Sequence, residues 1–458
     1  MTAATHPPPP AQPPATQGLL ARVLRSSVIT IGGYGASQVL RLASNLVLTR
    51  LLFPEAFGMM ALISVFLMAL TMFSDIGLGP AIMGSKRGDE RVFLDTAWAI
   101  QIVRGALLWI AALVLTWPVA QFYGEPDLLY YLPVAAFGMV IAGFNTTRRE
   151  TANRHLLAGR VTLIDLGAQV VALVAGVALA WVTGSIWSLV FSGLLGNVAT
   201  LILSDLFLPG PRDRWHWEPS AAQELIHFGK WIFFATVMGF AIGQADKVVL
   251  GRMLDLRSFG QFNIAYFLSS FPLMLGAMVM RRVLIPVYRA SPPLADPANF
   301  RRIRKLRAVA GLFLIVLLAI ISFIGDWLVG VMYDADYHAA GGMVVLMAAL
   351  QVPSILILTC DQAALAAGDS RRFFHFTTIR AVLITVGLLV GWYGGGLIGA
   401  LVGQGLANLA AYPALVWLLR PHGAWDGKLD LVLGVAGTAV CLLGLWLNLD
   451  AVAGLGHH

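Results

Sequence analysis

An all-α, polytopic membrane protein is what the sequence predicts: two six-helix lobes related by a pseudo-twofold axis, plus one extra C-terminal span. Three observations predict it. Apolar residues make up 58% of the 458 and charged residues only 12%, about half the charged share of a soluble domain. The apolar residues fall into runs of the length a span needs, about 20 residues for roughly 30 Å of hydrocarbon. One stretch also recurs at an offset of 202. Leu48-Thr49-Arg50-Leu51-Leu52-Phe53-Pro54-Glu55-Ala56-Phe57-Gly58 returns as Leu250-Gly251-Arg252-Met253-Leu254-Asp255-Leu256-Arg257-Ser258-Phe259-Gly260, with Leu, Arg, Leu, Phe and Gly in common. Such self-similarity marks a duplicated architecture.

Taken in order, residues 1–23 are rich in Pro, Ala and Thr at their start and read as a disordered cytoplasmic tail, with no pattern of a signal peptide. Six spans follow near 26–50, 57–80, 93–117, 129–147, 160–182 and 186–208, making an N-lobe over 24–208. The segment 209–223 opens Pro209-Gly210-Pro211-Arg212-Asp213-Arg214 and reads as a polar, proline-punctuated linker. A C-lobe over 224–420 carries spans near 226–250, 259–282, 307–331, 341–366, 373–394 and 397–419. A thirteenth span at 430–448 has no partner in the repeat and is expected at the periphery. Between spans, 283–306 holds Arg289, Arg301, Arg302, Arg304 and Lys305 around an apolar stripe, the pattern of an interfacial helix on an anionic leaflet. Cys360 and Cys441 both lie in apolar runs and read as inert thiols.

Charge sets the orientation. With the N-terminus inside, 24 of the 31 Lys and Arg fall on inner stretches. The outer loops carry only Arg50, Arg252 and Arg257, and Arg41, Arg104, Lys247 and Arg380 lie within spans. This asymmetry predicts a cytoplasmic N-terminus and explains the net charge of +7 without nucleic acid as a partner.

At these residues the chain resembles a known family. The turn after the first span, Arg50-Leu51-Leu52-Phe53-Pro54-Glu55-Ala56-Phe57-Gly58, is similar to one in polysaccharide flippases, the Wzx-like branch of the multidrug/oligosaccharidyl-lipid/polysaccharide exporter superfamily. Phe73-Ser74-Asp75-Ile76-Gly77-Leu78-Gly79-Pro80-Ala81, Asp246-Lys247-Val248-Val249-Leu250-Gly251-Arg252 and Arg282-Val283-Leu284-Ile285-Pro286-Val287-Tyr288 resemble it too, and the likeness runs from about 24 to 420. It implies a two-lobed flippase of a bacterial cytoplasmic (inner) membrane. That flippase would move a polyprenyl-pyrophosphate oligosaccharide by alternating access, for export of a surface or extracellular polysaccharide. It implies structural roles for Arg50, Gly58, Asp75, Arg252, Gly260 and Pro286. A polysaccharide polymerase or glycosyltransferase is a further partner, and the chain is expected as a monomer.

The residues narrow the chemistry independently. There is no GxxxxGK[ST] loop, HExxH or paired CxxC, so neither P-loop ATP hydrolysis nor a metal-cluster enzyme is indicated. Asp334-Ala335-Asp336 imitates a sugar-nucleotide motif but falls on a short outer loop and reads as solvated. No catalytic residue, cofactor or metal is expected; a coupling ion, H+ or Na+, is left open.

What remains is charge inside the membrane, which turns toward a bundle interior or a wet cavity. Asp75, Asp165 and Asp361 lie near inner span ends, where pairing or snorkelling accounts for them. Arg41, Arg104 and Arg380 lie deeper and are expected at a cavity. Asp246 and Lys247 are adjacent and therefore point about 100° apart, so one can pair while the other faces the cavity. Asp246 is the candidate for ion coupling. Tyr34, Gln38, Arg41 and Asn45, spaced four, three and four, share a face of the first span. The 202-residue offset maps Asn45 onto Lys247, so each lobe offers a cation to one cavity, suited to a pyrophosphate. The competing reading pairs Arg41 with Asp165. The alternative function, a drug/cation antiporter of the same superfamily, would want acidic residues to dominate that cavity, and here the basic ones do.

Overall fold

Proline, glycine and short acidic side chains decide where each apolar run begins and ends. The computed structural model describes residues 15–457 except 76 and 156. Helix α1 (Ala15–Thr49) stops in the motif turn, and α2 (Pro54–Phe73) starts on Pro54, whose fixed φ and missing N–H suit a first helical turn. The run at 57–80 breaks after Phe73. Asp75 Oδ1 accepts the Gly77 N–H at 2.8 Å, and Gly77 adopts φ +64°, left-handed backbone that disfavours a side chain. Asp75 therefore ends a helix, and α3 (Leu78–Gly84) is separate. The first half is completed by α4 (Arg91–Tyr123), by α5 (Leu128–Gly143) and α6 (Arg148–Arg154), bent 61° from each other, and by α7 (Ala158–Thr183) and α8 (Trp187–Phe207).

The second half begins with α9 (Pro219–Met253) and α10 (Leu256–Ser269), the latter capped by the Asp255 carboxylate on the Arg257 and Ser258 N–H groups. Next come α11 (Phe271–Ala290), with Pro286 inside it, and α12 (Pro297–Met332). The segment around α13 (Ala339–Leu350), α14 (Val352–Leu358) and α15 (Gln362–Ala366) bends by 47°. Helical run α16 (Ser370–Ala410) is broken at Gly395 and Gly396, the latter at φ +58°. Its two legs fold back on glycines: a Cβ at Gly391 would stand 2.0 Å from the Gly399 carbonyl oxygen, and one at Gly403 2.0 Å from that of Gly387. Small residues allow this backbone approach between spans. Then follow α17 (Tyr412–Leu419), α18 (Gly427–Leu447) and α19 (Leu449–Ala453).

Among the described residues eight helices are long and apolar enough to cross a membrane, and two bent pairs bring ten. The broken run α16 is among the eight, and the 35-residue helices α1 and α9 are further long helical segments. The chain is an all-helical, multi-pass membrane protein.

Some expectations are corrected. Of the segment 1–23, the first 14 residues lie outside the described ones, and the rest is already helix from Ala15. In the segment 209–223, helix resumes at Pro219. The basic stretch ending at 306 is not a separate interfacial helix. From Pro297 it is the first part of a continuous 36-residue helix, capped by Asp296 on the Ala298 N–H. Helix α18, expected at the periphery, leaves Leu431, Val432, Val435 and Trp446 exposed along one side. It packs along α12, α13 and α14, with Ser322 Oγ donating to the Cys441 carbonyl at 2.8 Å and Arg307 bonded to Asp430 at 2.6 Å.

The largest apolar cluster joins the two halves at the motif end. It joins Leu48, Leu52, Ala56, Met59 and Leu62 to Leu250, Phe259, Phe262, Tyr337 and Val344. At the opposite, arginine-rich end the clusters are smaller: one holds Leu284, Tyr288, Ile303 and Phe376 of the second half, and another packs Leu78 and Phe93 of the first half against Leu225 at the start of α9. The connection before α9 is strapped to the first half. Asp213 accepts from the hydroxyls of Thr146 and Thr147, the Arg214 N–H donates to Asp95 Oδ1 at 2.8 Å, and Arg87 pairs with Glu218 at 2.9 Å.

Candidate functional site

Helix α10 supplies the surface on which the two halves meet. It packs against α2 of the first half and against α13 of the second. It also presents two adjacent rings, Tyr266 and Phe267, to cations from different halves. Arg41, from α1, sets its Cζ 5.2 Å from the centre of the Phe267 ring. Lys247, from α9, sets its Nζ 4.2 Å from the centre of the Tyr266 ring. Both distances are within cation–π range.

Arg41 lies one turn beyond Ser37, on the side of α1 that packs against α7. Ser37 Oγ donates to Gln169 Oε1 of α7 at 2.8 Å, and Gly33 abuts Thr162. Gln38, one turn before Arg41, is 8% exposed and its Oε1 has no hydrogen-bond partner among the described residues. Asp165 is not the partner of Arg41, because Arg149 holds it at 2.7 Å. Asn45, a turn beyond Arg41, passes its carbonyl to the Thr49 hydroxyl at 2.8 Å.

Asp246 turns away from its neighbour Lys247, as residues 100° apart on a helix must. It is buried and lines a cavity of about 230 Å3 with Arg380, Gln351, Gln404 and Asn408. Its Oδ1 accepts the Lys247 backbone N–H at 2.8 Å. Arg380 Nε donates to Asn408 Oδ1 at 3.0 Å, and Gln351 Oε1 is buried without a hydrogen-bond partner among the described residues. Tyr266 forms part of the same wall, so one ring separates the Asp246 cavity from the cationic pair.

Of the residues singled out in the sequence, the structure thus brings Arg41 to Lys247 and Asp246 to Arg380, in adjoining places. Arg104 joins neither. It donates to the Thr71 carbonyl at 2.8 Å and to Ser74 Oγ at 3.0 Å and so closes the end of α2. A helix end offers the unpaired carbonyls that attract an arginine. Arg50 and Arg252 are exposed at the motif end. Sequence reasoning missed Tyr266, Phe267, Gln404 and Asn408. The last two carried a readable signal, polar side chains four residues apart on an apolar span; the rings looked like ordinary span residues.

The motif end is closed by contacts between the halves. A Cβ at Gly58 would stand 2.1 Å from the Leu256 carbonyl oxygen, and one at Gly260 2.0 Å from that of Pro54. The Tyr337 hydroxyl donates to the Leu52 carbonyl at 3.1 Å. Arg257 pairs with Asp336 at 2.5 Å and reaches Glu55 at 3.9 Å. Asp336, read as part of a solvated loop, is exposed there and also pairs with Arg257.

The model of a family described as polysaccharide biosynthesis protein matches residues 47–341. The chain is 22% identical to the lipopolysaccharide biosynthesis protein WzxC of Escherichia coli (strain K12) over 57% of its own length and 52% of that protein's. It is 20% identical to the teichuronic acid biosynthesis protein TuaB of Bacillus subtilis (strain 168), over 69% and 64%. It thus spans between half and two thirds of these relatives. Among solved structures, the lipid II flippase MurJ in an inward closed conformation superposes with a TM-score of 0.69 over 92% of both chains at 14% identity, a likeness of fold.

Proposed function

The chain belongs to the polysaccharide biosynthesis protein family matched over 47–341, and from that premise we propose that it is a flippase for a lipid-linked oligosaccharide. A polyprenyl-pyrophosphate sugar crosses the cytoplasmic membrane of a bacterium, for export of a surface or extracellular polysaccharide, by rocking of lobes 24–208 and 224–420. The observation that carries this reading is the meeting of Arg41 and Lys247, from different halves, on the neighbouring rings of α10. Rings hold the cations without neutralising them, so an arriving pyrophosphate finds two positive charges that form no ion pair among the described residues. A planar guanidinium and a point-charge ammonium together suit such an anion. The polyprenyl tail stays in lipid.

The N-terminus is cytoplasmic, because the arginine-rich end then faces inward. The closure around Gly58 and Gly260 is then the outer gate, and the smaller clusters of the other end belong to a state open toward the cytoplasm. Coupling runs through Asp246. The Arg380 guanidinium in the same cavity opposes a second cation, which favours a proton on Asp246 over a sodium ion beside it.

The test is deletion of the gene followed by analysis of lipid-linked sugars. Accumulation on the cytoplasmic leaflet, reversed by the wild-type chain, is expected. Unchanged lipid-linked sugars together with normal polysaccharide export would overturn the reading.

A further inference from the structure

Away from the central pair, the arginine-rich end of the second half holds a second cationic place. A cleft of about 550 Å3 is lined by Arg372, Tyr412, Trp417, Arg420 and Trp425. Each arginine lies against a tryptophan: Arg372 Cζ is 5.6 Å from the Trp417 ring centre, and Arg420 Cζ 4.8 Å from that of Trp425. Arg420 makes no ion pair among the described residues. Arg372 has one long pair of 3.6 Å with Asp369, which His422 shares at 3.3 Å. The cleft therefore keeps a positive surplus. Its floor is fixed, because Trp425 Nε1 donates to the Tyr412 hydroxyl at 3.2 Å and that hydroxyl donates to Asp430 at 2.9 Å. Asp430 adds no free negative charge, being bonded to Arg307.

The cleft continues into an apolar groove of about 660 Å3 that shares Tyr412 and Trp425 with it and runs between α18 and α14. Leu431, Val435, Ala439 and Leu442 line the groove on the α18 side. At 1.5 Å per residue, Leu431 to Leu442 spans about 16 Å, close to the roughly 15 Å of one leaflet's hydrocarbon. On the other wall, Val352, Pro353 and Leu356 face the groove while Gln351 and Ser354 face the Asp246 cavity. The groove and that cavity are thus opposite sides of one short helix.

We propose that this place binds one anionic phospholipid of the inner leaflet, with its phosphate between Arg372 and Arg420 and an acyl chain in the groove along α18. A free anion would use the cleft alone; a zwitterionic lipid would bring a second positive charge to a positive cleft. Basic pockets between spans at the cytoplasmic face recognise anionic headgroups in this way, and tryptophan belongs at the same depth. The inference is independent of what the central pair carries.

The experiment uses the purified, delipidated full chain, with native mass spectrometry and thermal melting as readouts. Phosphatidylglycerol is expected to bind at one molecule per chain and to raise Tm, phosphatidylcholine at least tenfold more weakly. Arg372→Gln/Arg420→Gln should lose at least tenfold in phosphatidylglycerol affinity. Ala439→Trp, which fills the groove and leaves both arginines, should lose as much. If the double variant fails to fold, Arg420→Gln alone and Ala439→Trp carry the comparison. Equal binding of the two lipids, wild-type affinity in both kinds of variant, or the same Tm rise from inorganic phosphate alone would overturn the proposal.

Discussion

Gly58 and Gly260 cross back to back: a Cβ on the first would meet the Leu256 carbonyl, and a Cβ on the second the Pro54 carbonyl, at 2.1 and 2.0 Å. The residues are 202 apart, and so are Pro54 and Leu256. The contact is reciprocal, each copy of the motif receiving from the other what it gives. This explains why the motif recurs around its glycine: only a bare Cα lets α2 and α10 approach so closely.

Gly58→Ala should therefore pry this end open. The obstructing atom is backbone, so the clash cannot be relieved by a rotamer change. Overpacking of this kind costs about 1–3 kcal/mol, a shift of roughly 5- to 150-fold in the closed population. A cysteine placed at buried Leu52 reports it, against a silent background of buried Cys360 and Cys441. Labelling by a membrane-impermeant maleimide should accelerate in Gly58→Ala and in Gly260→Ala. Unchanged labelling would mean that the crossing is not part of the gate.

Arg41 carries the sharpest functional prediction. Arg41→Gln should abolish most polysaccharide output in a deletion strain, Arg41→Lys should keep part of it, and both proteins should reach wild-type levels. Adding Asp165→Asn should not rescue Arg41→Gln, because Asp165 belongs to Arg149. Full output from a stable Arg41→Gln protein would remove the pair from the mechanism.

How much of this could be read beforehand follows physical range. The helical class needs only composition and run length, which are local. The convergence of Arg41 and Lys247 was legible through helical spacing and the repeat offset, which carry one lobe's face over to the other. Arg104 was placed by its depth in a span, whereas its hydrogen-bond acceptors lie at the end of α2. That end exists because Asp75 and Gly77 stop the helix early. The rings of Tyr266 and Phe267, and the docking of α18, are tertiary juxtapositions that no spacing encodes.

For coupling, Asp246→Asn should leave protein levels intact and remove the dependence of output on the ion gradient, since an amide holds no exchangeable charge. Arg380→Gln should instead retain some gradient dependence. Collapsing the proton gradient with an uncoupler, with sodium held constant, is the measurement. Continued gradient dependence in Asp246→Asn would return this carboxylate to a structural role.

The strap before α9 should respond to acid. The Ser220 hydroxyl and the Arg87 guanidinium hold the Glu218 carboxyl below the ordinary glutamate value of 4.5. A depressed carboxylate stabilises the fold above its unfolded value, and the contribution is lost as pH falls through the lower, folded value. Proteolytic nicking in 209–218 should therefore rise only below about pH 4.5, and Glu218→Gln should show at neutral pH the nicking that the wild type shows in acid. Equal nicking of both proteins across the range would detach the strap from this pair.

The last prediction concerns Arg307 and Asp430, whose side chains are each 2% exposed and bonded at 2.6 Å. Arg307 also donates to the Ala424 carbonyl at 3.2 Å, so the pair fixes both α18 and the turn before it. Charges so placed are stabilising only as a pair, since desolvation opposes their attraction. Removing one leaves the other buried and alone, at a cost of about 3–5 kcal/mol. Arg307→Leu and Asp430→Leu should each lower Tm steeply and expose α18 to protease, while the double substitution should recover most of the loss, because an apolar contact there needs no partner. If the pair only decorates the helix end, the single variants should melt like the wild type. If the double variant is no better than the singles, the loss comes from packing volume and not from an orphaned charge.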